Sequence, residues 1–392
     1  GYMQGTWTDA WAYYFGATYN LSDAHRFDFY ALGAPQRHGQ NLYRQNIAAY
    51  DRAFAEGLDG YDQAAFEKFN EAGRDFNQNV SSLSEESQAI LDAGPGQHWQ
   101  MYSIRDGVDR HEKDNLSERE NFFHKPQVAL NHYWTMNNTM RLSSSFYWSG
   151  GMGGGTGTYG SVSRSPHVEG NNWWASSPWT WDWDAEIAQN STNIDSESGM
   201  AQSTGILRNS NNRQSTLGVI SKLNYDVNDN LKAQLGLDLR TAKIYHVKTI
   251  RDLLGGEFFV NTDSDFDGEN QSKGLGDPID YNFTNYVNWL GAFGQVEYNT
   301  GSISAYGMAG LTSVQYTHWN HFKMASNYDY SYVTEKDGSS ADWVEAPGDE
   351  MGGNAGELYI EADPITTSQI KGGVMYNLGD MLSPLSMIPV FG

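Results

Sequence analysis

The sequence predicts an all-β fold, and within that class a transmembrane antiparallel β-barrel. Three observations predict it: long stretches in which apolar and polar residues alternate, a strict succession of tight turns and very long connections, and an aromatic residue just ahead of each tight turn. Successive strand side chains point to opposite faces, so a two-residue rhythm gives a sheet one oily face and one wet face. In the clearest stretch, Leu231 to Tyr245, positions Leu231, Ala233, Leu235, Leu237 and Leu239 are apolar, while Lys232, Gln234, Gly236, Asp238 and Arg240 are polar or glycine. The stretch is longer than the five or six residues usual in soluble sheets. A barrel in a bilayer turns such an oily face to lipid and keeps the wet face for its interior.

The elements follow in order. A first strand from Trp7 to Tyr19 places Trp11, Tyr13, Phe15, Ala17 and Tyr19 on one face, turns at Asn20 to Asp23, and returns through His25 to Gly33. From Ala34 to Lys125 nothing reads as a membrane strand, although Ala64 to Asn70 and Ser84 to Leu91 suit short surface helices. A second hairpin pairs Gln127 to Trp134 with Thr139 to Trp148 around Asn137-Asn138, and a long loop from Gly150 to Ser215 opens on the flexible glycine run Gly150 to Gly155. The third hairpin joins Leu217 to Tyr225 with Leu231 to Tyr245 through Val227 to Asn230, and Lys248 to Asn285 is the loop after it. The fourth joins Leu290 to Tyr298 with Ile303 to Tyr316, whose alternation weakens after Gly310, and after a further loop to Ile365 a ninth strand runs from Ile370 to Leu378.

Short turns thus gather on one rim and long loops on the other, which is how outer-membrane barrels are built. Tyr19, Trp134, Tyr225, Tyr298 and Tyr376 each precede a short turn and would form an interfacial girdle. Nine strands cannot close a bacterial single-chain barrel, which takes an even number, so the chain is expected to form an arc of a larger one.

Composition supports one architecture over residues 1–392, because neither low complexity nor charge blocks divide the chain. With 48 acidic against 25 basic residues and a formal charge of -23, binding of nucleic acid by phosphate neutralisation is disfavoured. The absence of cysteine excludes disulfides, cysteine-zinc sites and thiol catalysis. No run approaches the roughly eighteen apolar residues of a transmembrane helix. A mean hydropathy of -0.62 is no argument against a membrane, since barrel strands escape hydropathy averaging. Aromatics make up 14% of the chain, with 13 Trp and 24 Tyr, residues that favour sites apolar at one end and wet at the other. The opening at Gly1 without Met or signal peptide and the end at Gly392 without a strand pattern are what a piece of a longer protein would show.

Several segments resemble, in order and spacing, TonB-dependent outer-membrane receptors of Bacteroidetes-like bacteria. They are Gly33-Ala-Pro-Gln-Arg-His-Gly-Gln40, His124-Lys-Pro-Gln127, the glycine run through Gly155-Thr-Gly-Thr-Tyr-Gly160, Leu237-Asp-Leu-Arg240, Asp252-Leu-Leu-Gly-Gly256 and Asn288-Trp-Leu-Gly-Ala-Phe-Gly-Gln295. The resemblance implies part of a 22-stranded barrel with a plug in its lumen, short periplasmic turns and long extracellular loops. It implies a non-enzymatic receptor that takes up a scarce ligand, such as a ferric chelate, cobalamin, an oligosaccharide or a peptide. The implied partners are outer-membrane lipids, the TonB complex acting through a plug that this chain lacks, and a surface lipoprotein.

Two loop segments are candidate sites. Asn171 to Asp184 holds Trp173, Trp174, Trp179, Trp181 and Trp183, which could stack on sugar rings or an aromatic chelator, with Asp182 and Asp184 binding hydroxyls or cations. The alternative is that the loop uses these tryptophans as its own small core. Asp263, Asp265 and Asp267, followed by Gly268, have the D-x-D-x-D-G order of a calcium loop, but Gly274 stands where a bidentate Glu is expected, so calcium competes with an acidic loop tip. His318 and His321 lie near a loop as a metal-ligating pair without a third ligand. Asp182 and Asp184 are too close in sequence to be a convincing glycosidase pair. Arg240, Asp238 and Lys232 should face the lumen as a charged wall. The rivals to a receptor are a passive porin, a secreted all-β carbohydrate-binding protein or glycanase, and an adhesive surface protein on a barrel scaffold.

Overall fold

Alternation over so many residues leaves each strand with backbone groups that only neighbouring strands can satisfy, and the chain meets that demand as a continuous antiparallel meander. The computed structural model describes residues 2–64, 69–96, 98, 114–165, 178–268, 271–327, 341–345 and 356–377. Nine long strands follow one another: β1 (Tyr13–Ser22), β2 (His25–Gly33), β3 (Gln127–Thr135), β4 (Met140–Gly160), β5 (Gly205–Asn228), β6 (Leu231–Asp252), β7 (Pro278–Asn299), β8 (Ile303–Met324) and β9 (Ile365–Tyr376). Each pairs antiparallel with the next, without a crossover. The strand predicted from Ile370 begins at Ile365. Residues 378–392 and most of the helix expected from Ala64 to Asn70 lie outside the described residues.

Register fixes the two faces. Leu235 of β6 stands opposite Leu223 on one side and Gly294 on the other, and the row continues to Leu142 and Ala309. Leu235, Leu237 and Leu239 are 61%, 52% and 44% exposed, so no second layer among the described residues covers them. Leu217, Leu290, Leu311 and Ile370 are exposed on the same face. Unsatisfied apolar surface of this extent is not stable in water, whereas hydrocarbon accommodates it. Tyr19, Tyr225, Tyr298 and Tyr376 are likewise exposed on that face beside the short turns. A two-faced meander with a short-turn rim, a long-loop rim and an aromatic edge is the transmembrane wall of an outer-membrane β-barrel.

The strands are much longer than the alternating segments suggested. β4 and β5 absorb both ends of what reads as the loop from Gly150 to Ser215, and β6 and β7 do the same for the Lys248 to Asn285 loop. Gly150 to Gly155, expected to be flexible, is strand. The cause is close packing. The short strand Glu120–His124 lies against Gly153 and Gly154, where any Cβ would meet the backbone of Phe122 or Ser210. β8 also keeps its facing beyond Gly310 and pairs with β7 as far as Asn320.

Prolines mark where the membrane tier ends. Glu120–His124 is separated from β3 by Lys125-Pro126, Gln36–Gly39 from β2 by Ala34-Pro35, and Glu357–Ala362 from β9 by Asp363-Pro364. A proline cannot donate to a ladder, so each strand breaks there and resumes above as a short continuation. The continuations pair among themselves and with the upper halves of β4 and β8.

Besides the short helices Ile47–Tyr50 and Arg52–Glu56, two longer helices stand above the sheet. α1 (Glu85–Ala93) is capped by Ser84, close to its expected position, and α2 (Trp183–Thr192) is capped by Asp182. Leu83, Leu91, Leu116, Val162, Trp179, Trp181, Trp183, Ile187, Leu207 and Leu254 form a buried cluster between these helices and the tops of β5 and β6.

Candidate functional site

The polar face is the side of the wall opposite the bare leucines, and its chemistry changes with height. Near the short turns Arg141 pairs with Asp226 across strands, beside Lys232 and Glu297, around a cavity of about 220 Å³. Higher up, Arg240 donates to Asp238 from Nε at 2.8 Å and stacks its guanidinium 5.3 Å from the Trp289 ring. Arg26 and Asp28 form a similar pair on β2 at 2.7 Å. The charged wall expected from Lys232, Asp238 and Arg240 is therefore present, with Asp238 and Arg240 matched to each other. Glycines between the charges take aromatic rings from the neighbouring strand: Tyr147 lies over Gly218 and Phe293 over Gly236.

Above the membrane tier the polar face becomes a row of imidazoles and rings. Phe283 stands between His246 and His318, with ring centroids 5.0 Å and 5.2 Å away. Each histidine is held by an asparagine: His246 Nδ1 meets Asn212 Oδ1, and His318 Nδ1 lies 2.7 Å from Asn285 Oδ1. Burial lowers the pKa of His246, and burial followed by the nearby His321 lowers that of His318, so both imidazoles favour the neutral form. Next to this row, Lys248 pairs with Asp280 and lies 5.0 Å and 5.1 Å from the Tyr159 and Tyr281 rings. Burial and the carboxylates of Asp263 and Asp280 push Tyr159 up to about 12, so its hydroxyl stays protonated. Because each histidine Nδ1 gives its proton to an asparagine oxygen, the neutral imidazoles present Nε2 as an acceptor on a flat ring, which suits a planar polar ligand. Sequence reading missed this row because His246 follows the clean alternation and Phe283 falls in a stretch read as loop; continuing the even-numbered β6 series past Tyr245 would have pointed to it.

The predicted site residues lie elsewhere. Trp173 and Trp174 fall outside the described residues. Trp179, Trp181 and Trp183 are 4%, 4% and 0% exposed and pack on one another, with Arg164 stacked on the first two. As folded, these three rings make the core of the loop tier and offer no face to a ligand. Asp182 caps α2 by accepting from Ala185, and Asp184 accepts from the backbone and hydroxyl of Ser84 at 3.0 Å and 2.9 Å, tying α2 to the start of α1. The glycosidase pairing of these acids finds no support in that geometry.

The three aspartates of the calcium motif do not converge. Asp263 accepts from the Asp280 N–H and the Asn261 amide, Asp265 from the Met324 N–H and Lys323, and Asp267 pairs with Lys273 at 2.6 Å. Two carboxylates thus already have a lysine, which a cation would have to displace. Among the described residues, no group of three His, Cys, Asp or Glu side chains is placed to hold a metal. His318 and His321 point to opposite faces of β8; His321 instead bridges Glu357 at 2.8 Å and Thr284 at 2.9 Å.

No known family profile matches the chain, and no curated protein matches it in sequence. Among solved structures it is similar to the ferric citrate transporter FecA in its unliganded form, with 8% identity over 96% of this chain and 35% of that one, at a TM-score of 0.46. It is also similar to the open form of the ferric-catecholate import receptor Fiu from E. coli K12, with 10% identity over 96% and 46% of the two chains, at a TM-score of 0.44. The outer-membrane transporter YddB from Escherichia coli aligns at 9% identity over 94% and 33%, with a TM-score of 0.34. The chain spans less than half the length of each.

Proposed function

We propose that this chain is part of the barrel wall of an outer-membrane receptor that imports a scarce ligand. The observation that carries the reading is the separation of faces on β6, with Leu235, Leu237 and Leu239 bare on one side and Asp238 and Arg240 paired on the other. Such a wall holds a polar path inside hydrocarbon. The His246, Phe283 and His318 row at the upper end of that path is the ligand-contacting surface, and the loop tier above it restricts entry. A flat polar ligand such as a metal chelate fits the row better than an extended chain would. Coupling to TonB through a plug extends the motif resemblance, and no described residue of this chain carries it.

The test begins with the wall. In the full-length protein, tryptophan placed at Leu237 should be quenched by lipids brominated on their acyl chains, whereas tryptophan at Gln234 should not. Equal quenching at both positions, or release of the protein by salt without detergent, ends the receptor reading and leaves a soluble protein. Uptake is tested next: loss of ligand accumulation on removing TonB supports an energised receptor, and undiminished accumulation supports passive diffusion.

A further inference from the structure

The lipid-facing side of the wall changes chemistry above its leucines. Lys243 and Tyr245 continue the odd-numbered series of β6 beyond Leu239, and the register to β5 and β7 is unbroken there, so both share the outward face. Tyr245 stands opposite Arg213 of β5, and Lys243 opposite Ser215. With about 3.3 Å per residue and a strand tilt near 40°, Lys243 stands roughly 10 Å above the last leucine, at the level of headgroups rather than acyl chains.

A cavity of about 710 Å³ opens at this level, between the outward face of β5 to β8 and the connection carrying Phe266, Asp267 and Lys273. Its cations are Arg213, Lys243 and Lys273, and its acids are Asp267 and Glu357. The acids are engaged, Asp267 with Lys273 at 2.6 Å and Glu357 with His321 at 2.8 Å. Among the described residues Arg213 and Lys243 have no carboxylate partner. Trp319 also lines the cavity, 2% exposed, and its indole N–H finds no acceptor among the described residues. A buried donor without an acceptor is costly, and a ligand oxygen would relieve that cost.

We propose that this cavity binds the phosphate group of an anionic outer-leaflet lipid whose acyl chains lie along the leucine band below it. Arg213 and Lys243 supply charge-assisted donors to the phosphate oxygens, and the Trp319 N–H supplies a neutral one. The cavity opens on the side of the wall away from the ligand path, and the apolar band directly beneath gives a lipid, unlike free phosphate, a second set of contacts. The proposal rests on the reading of that band as lipid-facing.

The experiment uses the full-length protein in phosphatidylcholine liposomes with or without diphosphorylated lipid A, and measures lipid A retained per protein after extraction into mild detergent. Wild-type protein should retain it, and the double variant R213E/K243E should retain on the order of tenfold less or lower still. Trp319→Phe keeps the ring and removes the donor, and should give a smaller loss of several-fold. Inorganic phosphate in excess should displace little of the lipid. Equal retention by wild type and the double variant overturns the proposal, as does full displacement by inorganic phosphate, which would mark a simple anion site. Acyl-chain quenching of tryptophan at position 237, followed in the same samples, reports separately whether the wall itself faces lipid.

Discussion

Gly236 faces the lumen because the ring of Phe293 occupies the space a side chain would need, and Gly218 yields to Tyr147 in the same way. Replacing Gly236 with Val would drive the Phe293 ring off its resting place at a cost of about 1–3 kcal/mol. The temperature at which folded barrel converts to its unfolded band on electrophoresis should fall, and a second change, Phe293→Leu, should restore part of the loss. At Asp184 the balance is electrostatic. Burial disfavours its charge, but hydrogen bonds from Ser87 and Ser84 outweigh that and hold its pKa below the usual carboxylate value. A depressed folded-state pKa stabilises the fold above the unfolded value of about 4 and loses that contribution as the pH falls further. Protease protection of the α1 to α2 tier should therefore weaken on acidification below about pH 4 in wild type, and Asp184→Asn should be weaker at neutral pH with a flatter acid response.

Strands were legible where one face met lipid and the other met polar groups, since that contrast writes a two-residue rhythm into the sequence. The rhythm in β6 predicts a steep difference between neighbours. Leu237→Arg should cost about 2–4 kcal/mol in urea unfolding from lipid vesicles, while Asp238→Asn, which breaks only an exposed pair with Arg240, should cost at most about 1 kcal/mol. Above the bilayer both faces of a strand meet water or loop, the contrast disappears, and so did the signal. That is why the upper halves of β4 to β7 read as loop, and why the glycines at 153 and 154 read as flexible although a neighbouring strand packs on them. Pro35, Pro126 and Pro364 stand in the sequence, but only the pairing shows that a strand breaks at each and resumes beyond it. The candidate residues misled for a related reason. A cluster of tryptophans advertises burial as readily as binding, and the D-x-D-x-D-G order sets a spacing without fixing where its carboxylates point.

At the scale of the molecule, the nine-strand meander and its two rims followed from the sequence, because the number and placement of short turns fix the topology of an antiparallel sheet. The ligand did not, since the His246, Phe283 and His318 row is assembled from three strands and no single segment announces it. A receptor and a porin with this wall differ in one simple measurement. On the receptor reading proposed above, a plug would obstruct the lumen and the full-length protein should show little or no steady conductance in planar bilayers, whereas a porin would conduct at once.

The junction at the three prolines divides the molecule in a way that matters outside the cell. The described residues above it, including the tryptophan cluster and the two longer helices, pack on one another and on the tops of the strands. Substitutions at exterior positions of that cap should therefore leave insertion of the wall into the bilayer unchanged, provided the buried rings at Trp181 and Trp183 are kept.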